Sequence, residues 1–345
     1  MKRNGLSCIT TVAATVVFGM TLSGAVQSQT VELKFADRLP QDHYIARYAT
    51  QPWIEEVHKT TAGAVSIKRY PSQQLGKAKD MLTLTGAGVI DLGEFVPGYF
   101  GDQMPLSTAA ELPGMVPTAC AASLAYQDLA SEGGFIEKNE LTPQRIKLLY
   151  VVGLPAYQLF VSRKIDGVDS LKGLKIRSTG STMDSGLRQL GIVPIRMGAP
   201  ELVESFARGT VDGTAYPAAS IFSYDLQKHT KYATTGLSFG STVTFYGISM
   251  KAWEKLSPGV QTAMLEAGKR TTQRACELID KDDRDALERL QQGGTVLVDF
   301  PAPDREKFAE LLAPAAAEWA QALDQKGRPG TETLRVFREA VARHR

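Results

Sequence analysis

Hydrophobic and polar positions alternate along Val31-Glu32-Leu33-Lys34-Phe35-Ala36, and a period of two predicts a strand. Beyond Pro40 and Asp42 the period lengthens. Tyr44, Ile45, Tyr48, Trp53, Ile54 and Val57 fall at helical spacing, and the helix they predict ends near Gly63. A strand over 65–70, a helix over 77–87 and a short strand-like run over 89–95 follow. The rhythm then restarts. Residues 147–152, 157–162 and 174–177 read as strands, 181–190 as a helix, 192–197 as a strand, 199–208 as a helix and 211–215 as a strand. Strands alternating with helices at this spacing predict two successive α/β halves, each a mainly parallel sheet flanked by helices. The strand-rich stretch 242–250 is expected to cross between them. Residues 251–290 form a long charged amphipathic stretch broken at Ser257-Pro258-Gly259, with a strand over 296–300 and a helix over 302–324 beyond it.

Length and composition agree with two lobes. The chain has 345 residues, 43% of them hydrophobic and 22% charged, which predicts a soluble globular protein too long for one compact core. Lys and Arg total 39 against 37 Asp and Glu, with no basic stripe, so no nucleic-acid partner is expected.

The N-terminus carries Lys2 and Arg3, an apolar run from Ile9 to Met20, and small residues at Ser23, Ala25 and Ser28. This is the layout of a cleaved export signal over 1–28, the run being shorter than the ~20 residues a membrane span needs. Removing Lys2 and Arg3 takes the formal charge from +2 to 0. Cys8 leaves with the signal. In an oxidising compartment Cys120 and Cys276 have the option of pairing, although two isolated cysteines in helical context are more often unpaired and buried; the sequence leaves the two states open.

Catalytic patterns fail on context. Gly236-Leu237-Ser238-Phe239-Gly240 spells a nucleophile elbow, but β-rich sequence follows it and the only later histidine is His344. Gly86-Ala87-Gly88 begins a dinucleotide loop that Asp91 interrupts. His43, His58, His229 and His344 lack metal-ligand spacing, and each reads as a surface or capping residue. Neither enzyme, metal nor cofactor is expected.

Five segments occur in an order that resembles the TRAP-type (tripartite ATP-independent periplasmic) solute receptors of the DctP family. They are Pro40 with His43; Tyr70-Pro71-Ser72-Gln73-Gln74-Leu75-Gly76; Gly88-Val89-Ile90-Asp91; Leu171-Lys172-Gly173-Leu174-Lys175-Ile176-Arg177; and Arg208-Gly209-Thr210-Val211-Asp212-Gly213. The resemblance spans nearly all of the mature chain. It implies a two-lobed periplasmic-binding-protein-like fold with a long helix across both lobes and a ligand cleft between them. The lobes are expected as 29–154 plus 242–280 and 155–241 plus 281–345. It implies a monomeric periplasmic receptor that hands a small organic acid to small and large integral membrane subunits driven by an ion gradient. A receptor of an ATP-driven importer is the nearest alternative, and an exported hydrolase the one from a different class.

Arg177 matches the family's ligand-carboxylate arginine. A guanidinium fork binds a carboxylate through two parallel hydrogen bonds that lysine does not reproduce. Such a bond contributes about 1.5–3 kcal/mol of the roughly 8 kcal/mol in a micromolar complex. An Arg177→Lys change is accordingly expected to weaken binding about tenfold or more, about 1.4 kcal/mol, and to change ligand-free melting little. Where the family often carries a further arginine and an asparagine, this chain has Tyr157 and Tyr216. Each presents an apolar face and one hydroxyl, which suits one carboxylate on an apolar or aromatic body, a 2-oxo or 2-hydroxy acid included. Phe95 and Tyr99, flanking Pro97, are expected to wall the cleft, and His43 joins the ligand-binding candidates on the resemblance.

Overall fold

The computed structural model describes Met1 and residues 30–344. The expected export signal, Met1 aside, lies outside the described residues. Among the described residues eleven strands form two sheets: β1 Val31–Ala36, β2 Val65–Tyr70, β3 Leu92–Phe95, β4 Ile146–Gly153, β5 Gln158–Val161, β6 Lys175–Ser178, β7 Val193–Arg196, β8 Gly213–Tyr216, β9 Tyr232–Thr235, β10 Val243–Ser249 and β11 Val296–Asp299. The first sheet runs β2-β1-β3-β10-β4 and the second β11-β9-β5-β8-β6-β7. Helices flank both, giving the two-lobed α/β architecture.

Each sheet is mainly parallel, as expected, with one antiparallel strand whose sense is set by the connections. β10 is antiparallel to both β3 and β4, and β5 is antiparallel to both β8 and β9. These two strands arrive from the other lobe. β4 leaves the first sheet at its C-terminal end, so β5 enters the second sheet from the side facing the first and runs back against its neighbours. β9 returns the chain to β10 by the same geometry. Every other strand in each sheet points its C-terminal end toward the space between the lobes, where ligands of open α/β sheets bind.

The two crossings pair with each other. Leu154 N–H donates to Thr242 O at 2.9 Å, Tyr157 N–H to Gly240 O at 2.8 Å, and Phe239 N–H to Tyr157 O at 3.1 Å. The Gly236–Gly240 run is thus part of this two-stranded joint, not a nucleophile turn.

Behind the joint lies the helix Pro258–Gln292, 35 residues and so about 50 Å long. It rests directly on the β4 backbone, where a Cβ on Gly268 would stand 1.9 Å from Leu149 O. The same helix reaches both lobes with carboxylates. Asp280 accepts the N–H groups of Ala119 and Cys120 (2.7 and 3.2 Å) at the start of the helix Ala119–Ala130, and Asp283 accepts Ala219 N–H at 3.2 Å. Carboxylates at helix N-termini meet unpaired donors and the positive end of the dipole.

Cys120 and Cys276 form a disulfide, the less common of the two states that the sequence left open. Cys120 is the second residue of the helix Ala119–Ala130, and Cys276 faces it from the long helix; 156 residues of sequence hid a contact that packing creates.

The C-terminal helices depart from the lobe boundaries expected above. Ala320, Leu323, Leu334, Phe337, Ala340 and Val341 share a buried core with Tyr126, Leu129 and Val151 of the first lobe, although 281–345 was expected in the second. Their apolar faces found the uncovered side of the helix Ala119–Ala130, a helix that sequence periodicity had not marked.

Candidate functional site

Arg177 sits in β6, in the second lobe, and is fully buried. Its Nε–H donates to Met197 O at 3.1 Å, and Nη2–H donates to the Tyr99 hydroxyl at 3.0 Å. Nη1 has no partner. The guanidinium carbon lies 5.2 Å from the centroid of the Tyr216 ring, a cation–π arrangement. Among the described residues no carboxylate forms an ion pair with it. A buried, unpaired cation is costly unless something anionic completes it.

Tyr99 comes from the first lobe, on the turn Pro97–Phe100 that follows β3. Its hydroxyl also accepts Ala199 N–H at 3.2 Å, so one first-lobe oxygen takes two second-lobe donors. Other bonds span the lobes in the same way: Arg38 Nη1–H to the Tyr224 hydroxyl at 3.1 Å, and Thr182 to Thr108 between hydroxyls at 2.8 Å. A Cβ on Gly180 would stand 2.4 Å from Gly98 O. The lobes are closed on each other.

Tyrosines line the interface. Tyr157 and Tyr216 meet edge to face at 5.8 Å, and Tyr216 lies 6.2 Å from Tyr224. The Tyr157 hydroxyl is fully buried and has no partner. The structure therefore brings together four of the six sequence candidates: Arg177, Tyr99, Tyr157 and Tyr216. His43 lies further along the same wall, 5.1 Å from the Tyr224 ring, and is buried instead of exposed as a surface histidine would be. Its Nδ1 accepts Ile45 N–H at 3.2 Å and its Nε2 is unpartnered. Phe95 does not join them. Its ring packs in the first-lobe core, 4.9 Å from Phe245 and 6.3 Å from Phe100, because alternation along β3 turns it away from the cleft.

Sequence reading missed Arg38, Glu94 and Tyr224. Arg38 Nη2 lies 3.2 Å from Glu94 Oε1, and Arg38 N–H donates to Glu94 Oε2 at 2.9 Å. The available signal was topological: Arg38 follows β1 and Glu94 is the penultimate residue of β3, both near C-terminal strand ends.

Glu111 bridges both lobes and the joint. It accepts the hydroxyls of Thr179 at 3.2 Å and Thr242 at 3.3 Å, and Gly98 N–H. Burial nevertheless pushes its carboxyl up to about 7, those hydrogen bonds pulling the other way. The folded chain thus holds a proton that an ordinary glutamate, near 4.5, has released. This contribution to stability is complete below about pH 4.5 and is lost as pH rises through about 7. Glu111→Gln keeps the site neutral at every pH. It is expected to stabilise the protein at pH 8, on the order of 1–3 kcal/mol, and to change little at pH 5. Urea unfolding at the two pH values checks this; an equal effect at both would contradict it.

A cleft of about 420 Å³ opens beside Tyr99, lined by Gln73, Lys77, Lys79, Thr179, Arg196 and Glu201 among others. Arg177 is bonded to two residues of its lining, Tyr99 and Met197. Among the described residues no group of three or more His, Cys, Asp or Glu is placed to hold a metal. No helix is long and apolar enough to cross a membrane among them.

The profile of the bacterial extracellular solute-binding proteins, family 7 (DctP), matches residues 35–322. The chain belongs to this family. It is a TRAP-type solute-binding receptor, a component of transport and not an enzyme. The C4-dicarboxylate-binding periplasmic protein DctP of Rhodobacter capsulatus is 24% identical over 334 residues, 94% of this chain and 95% of its own length. Two solved structures share the fold. One is a marine metagenome TRAP receptor specific for aromatic acid ligands, in complex with metahydroxyphenylacetate, with a TM-score of 0.85 at 22% identity, covering 91% of this chain and 99% of its own. The other is a Bordetella bronchiseptica TRAP receptor with bound mandelate, with a TM-score of 0.81 at 26% identity and the same coverage. The family's receptors are extracytoplasmic and take small organic acids.

Proposed function

We propose that this receptor captures a small aromatic monocarboxylate in the periplasm and delivers it to a TRAP-type importer driven by an ion gradient. The observation that carries the ligand class is Arg177, a fully buried guanidinium with no paired carboxylate and a free Nη1, lying over the ring of Tyr216. The free Nη1–H and the unpartnered Tyr157 hydroxyl supply donors for one carboxylate. The faces of Tyr216 and Tyr224 supply an apolar wall for a ring. A C4-dicarboxylate, the ligand in the name of the R. capsulatus relative, would bring its second carboxylate toward Glu94. Both solved structures above hold aromatic acids, which supports the same choice.

The closed lobes are the ligand-retaining state, and the paired crossings at 154–157 and 239–242 are the joint about which they open. Export with cleavage of 1–28, a monomeric mature chain, and partnership with a small and a large integral membrane subunit complete the reading.

Thermal melting of the mature chain against a panel of carboxylates tests it. Benzoate, mandelate and phenylacetate derivatives are expected to raise the melting temperature. A response confined to C4-dicarboxylates overturns the ligand class.

A further inference from the structure

The first-lobe end of the tyrosine wall holds three buried side chains, each with one polar atom that has no hydrogen-bond partner among the described residues: Arg38 Nε, His43 Nε2 and Glu94 Oε1. Buried polar atoms are normally paired, and a cluster of exceptions in one place is informative. We propose that Arg38, His43 and Glu94 form a second subsite that reads a hydroxyl group, so that the preferred ligand is a hydroxylated aromatic monocarboxylate. This rests on the ligand class proposed above and goes further by naming a substituent.

Donor and acceptor roles follow from the bonds already made. His43 Nδ1 accepts the Ile45 N–H, so in the neutral ring the proton sits on Nε2 and that nitrogen donates. Burial, with Arg38 beside it, holds the imidazole well below its usual range, so the ring stays neutral. Arg38 Nε carries a second donor. Glu94 Oε1 lies 3.2 Å from Arg38 Nη2 without the alignment of a hydrogen bond, and it accepts.

Two donors and one acceptor match a hydroxyl, which accepts and donates at once. A second carboxylate offers only acceptors and would meet Glu94. A carbonyl leaves Glu94 unmet, and an ammonium group faces two donors it cannot use. Leaving such buried groups unpaired costs about 1–3 kcal/mol each, so a site of this kind separates ligands that differ by one hydroxyl.

Position supports the pairing with Arg177. Arg38 bonds the Tyr224 hydroxyl, His43 packs edge-on against the Tyr224 ring at 5.1 Å, and Tyr224 lies 6.2 Å from Tyr216. Arg177 sits over the other end, above Tyr216. The carboxylate clamp and the second subsite therefore occupy opposite ends of one wall two rings long. One benzene ring with two substituents spans such a wall.

Calorimetric titration of the mature chain with benzoate, 3-hydroxybenzoate, 4-hydroxybenzoate and isophthalate tests the subsite. On the unaltered protein one hydroxybenzoate is expected to bind at least about tenfold tighter than benzoate, which is about 1.4 kcal/mol. Isophthalate is expected to bind more weakly than benzoate. In His43→Phe the hydroxybenzoate-to-benzoate ratio is expected to fall to about twofold or less, a readout that a purely structural role would not move. If both hydroxybenzoates bind the unaltered protein within about twofold of benzoate, the subsite is overturned while the ligand class stands. A preference that survives His43→Phe unchanged overturns it too. No binding of any of the four overturns the subsite and the ligand class together. Should His43→Phe fail to fold, the comparison on the unaltered protein decides.

Discussion

Replacing Arg177 by lysine is expected to weaken aromatic monocarboxylate binding by about 10- to 100-fold. A charge-assisted hydrogen bond in a buried site contributes about 1.5–3 kcal/mol, and 1.4 kcal/mol is a factor of ten. Lysine retains the charge but presents it as a point on a flexible stem, without the planar fork that meets both carboxylate oxygens. The structure revises what the substitution does to the empty protein. Arg177 also donates to Met197 O and to the Tyr99 hydroxyl, so ligand-free stability is expected to fall by about 1 kcal/mol, where the sequence implied little change. Calorimetry and urea unfolding on the same preparation separate the two effects. Unchanged affinity in Arg177→Lys would remove this side chain from the site.

Gly180→Val is expected to have a larger effect on binding and little on each lobe. Gly180 has φ −175°, an extended backbone that any residue adopts. The demand for glycine comes from the other lobe instead: an added Cβ would stand 2.4 Å from Gly98 O. A backbone oxygen on a packed turn does not yield cheaply, so the branched side chain props the lobes apart. Affinity is then expected to fall more than about 100-fold, roughly 3 kcal/mol, because burial of the ligand requires closure. Small-angle scattering at saturating ligand is expected to show the compact form for the unaltered protein and a more open form for the variant. Normal affinity in Gly180→Val would mean that the Gly98–Gly180 approach is not part of the ligand-bound state.

Much of the fold was legible because it was written locally. β1 and β2 fall on the residues that alternation marked, and the β6 end carries Arg177 where its motif placed it. The missing parts depend on what each segment packs against. β9 was not foreseen, since Tyr232–Thr235 is four residues long and offers little periodicity. The antiparallel sense of β5 and β10 follows from crossing between lobes, which no window of sequence reports.

The site divides in the same way. Arg177, Tyr157 and Tyr216 stood at motif positions and met at the interface. Phe95 read like a wall residue from its place beside Pro97, but strand alternation decides its direction and sends it into the core. Arg38 and Glu94 neutralise each other across 56 residues of sequence, and neither resembles a binding residue until the strand ends converge. The disulfide was not legible for the same reason: it joins two helix faces that only tertiary packing apposes.

On the proposed reading the cleft closes on one carboxylate, held by Arg177, with a ring against the tyrosine wall. Calorimetric titration of a single ligand-stripped preparation with benzoate and with succinate tests it most directly. Benzoate is expected to bind with micromolar or tighter affinity, about −8 kcal/mol or better, and succinate at least about tenfold more weakly. Succinate binding tightly while benzoate shows no heat would contradict it.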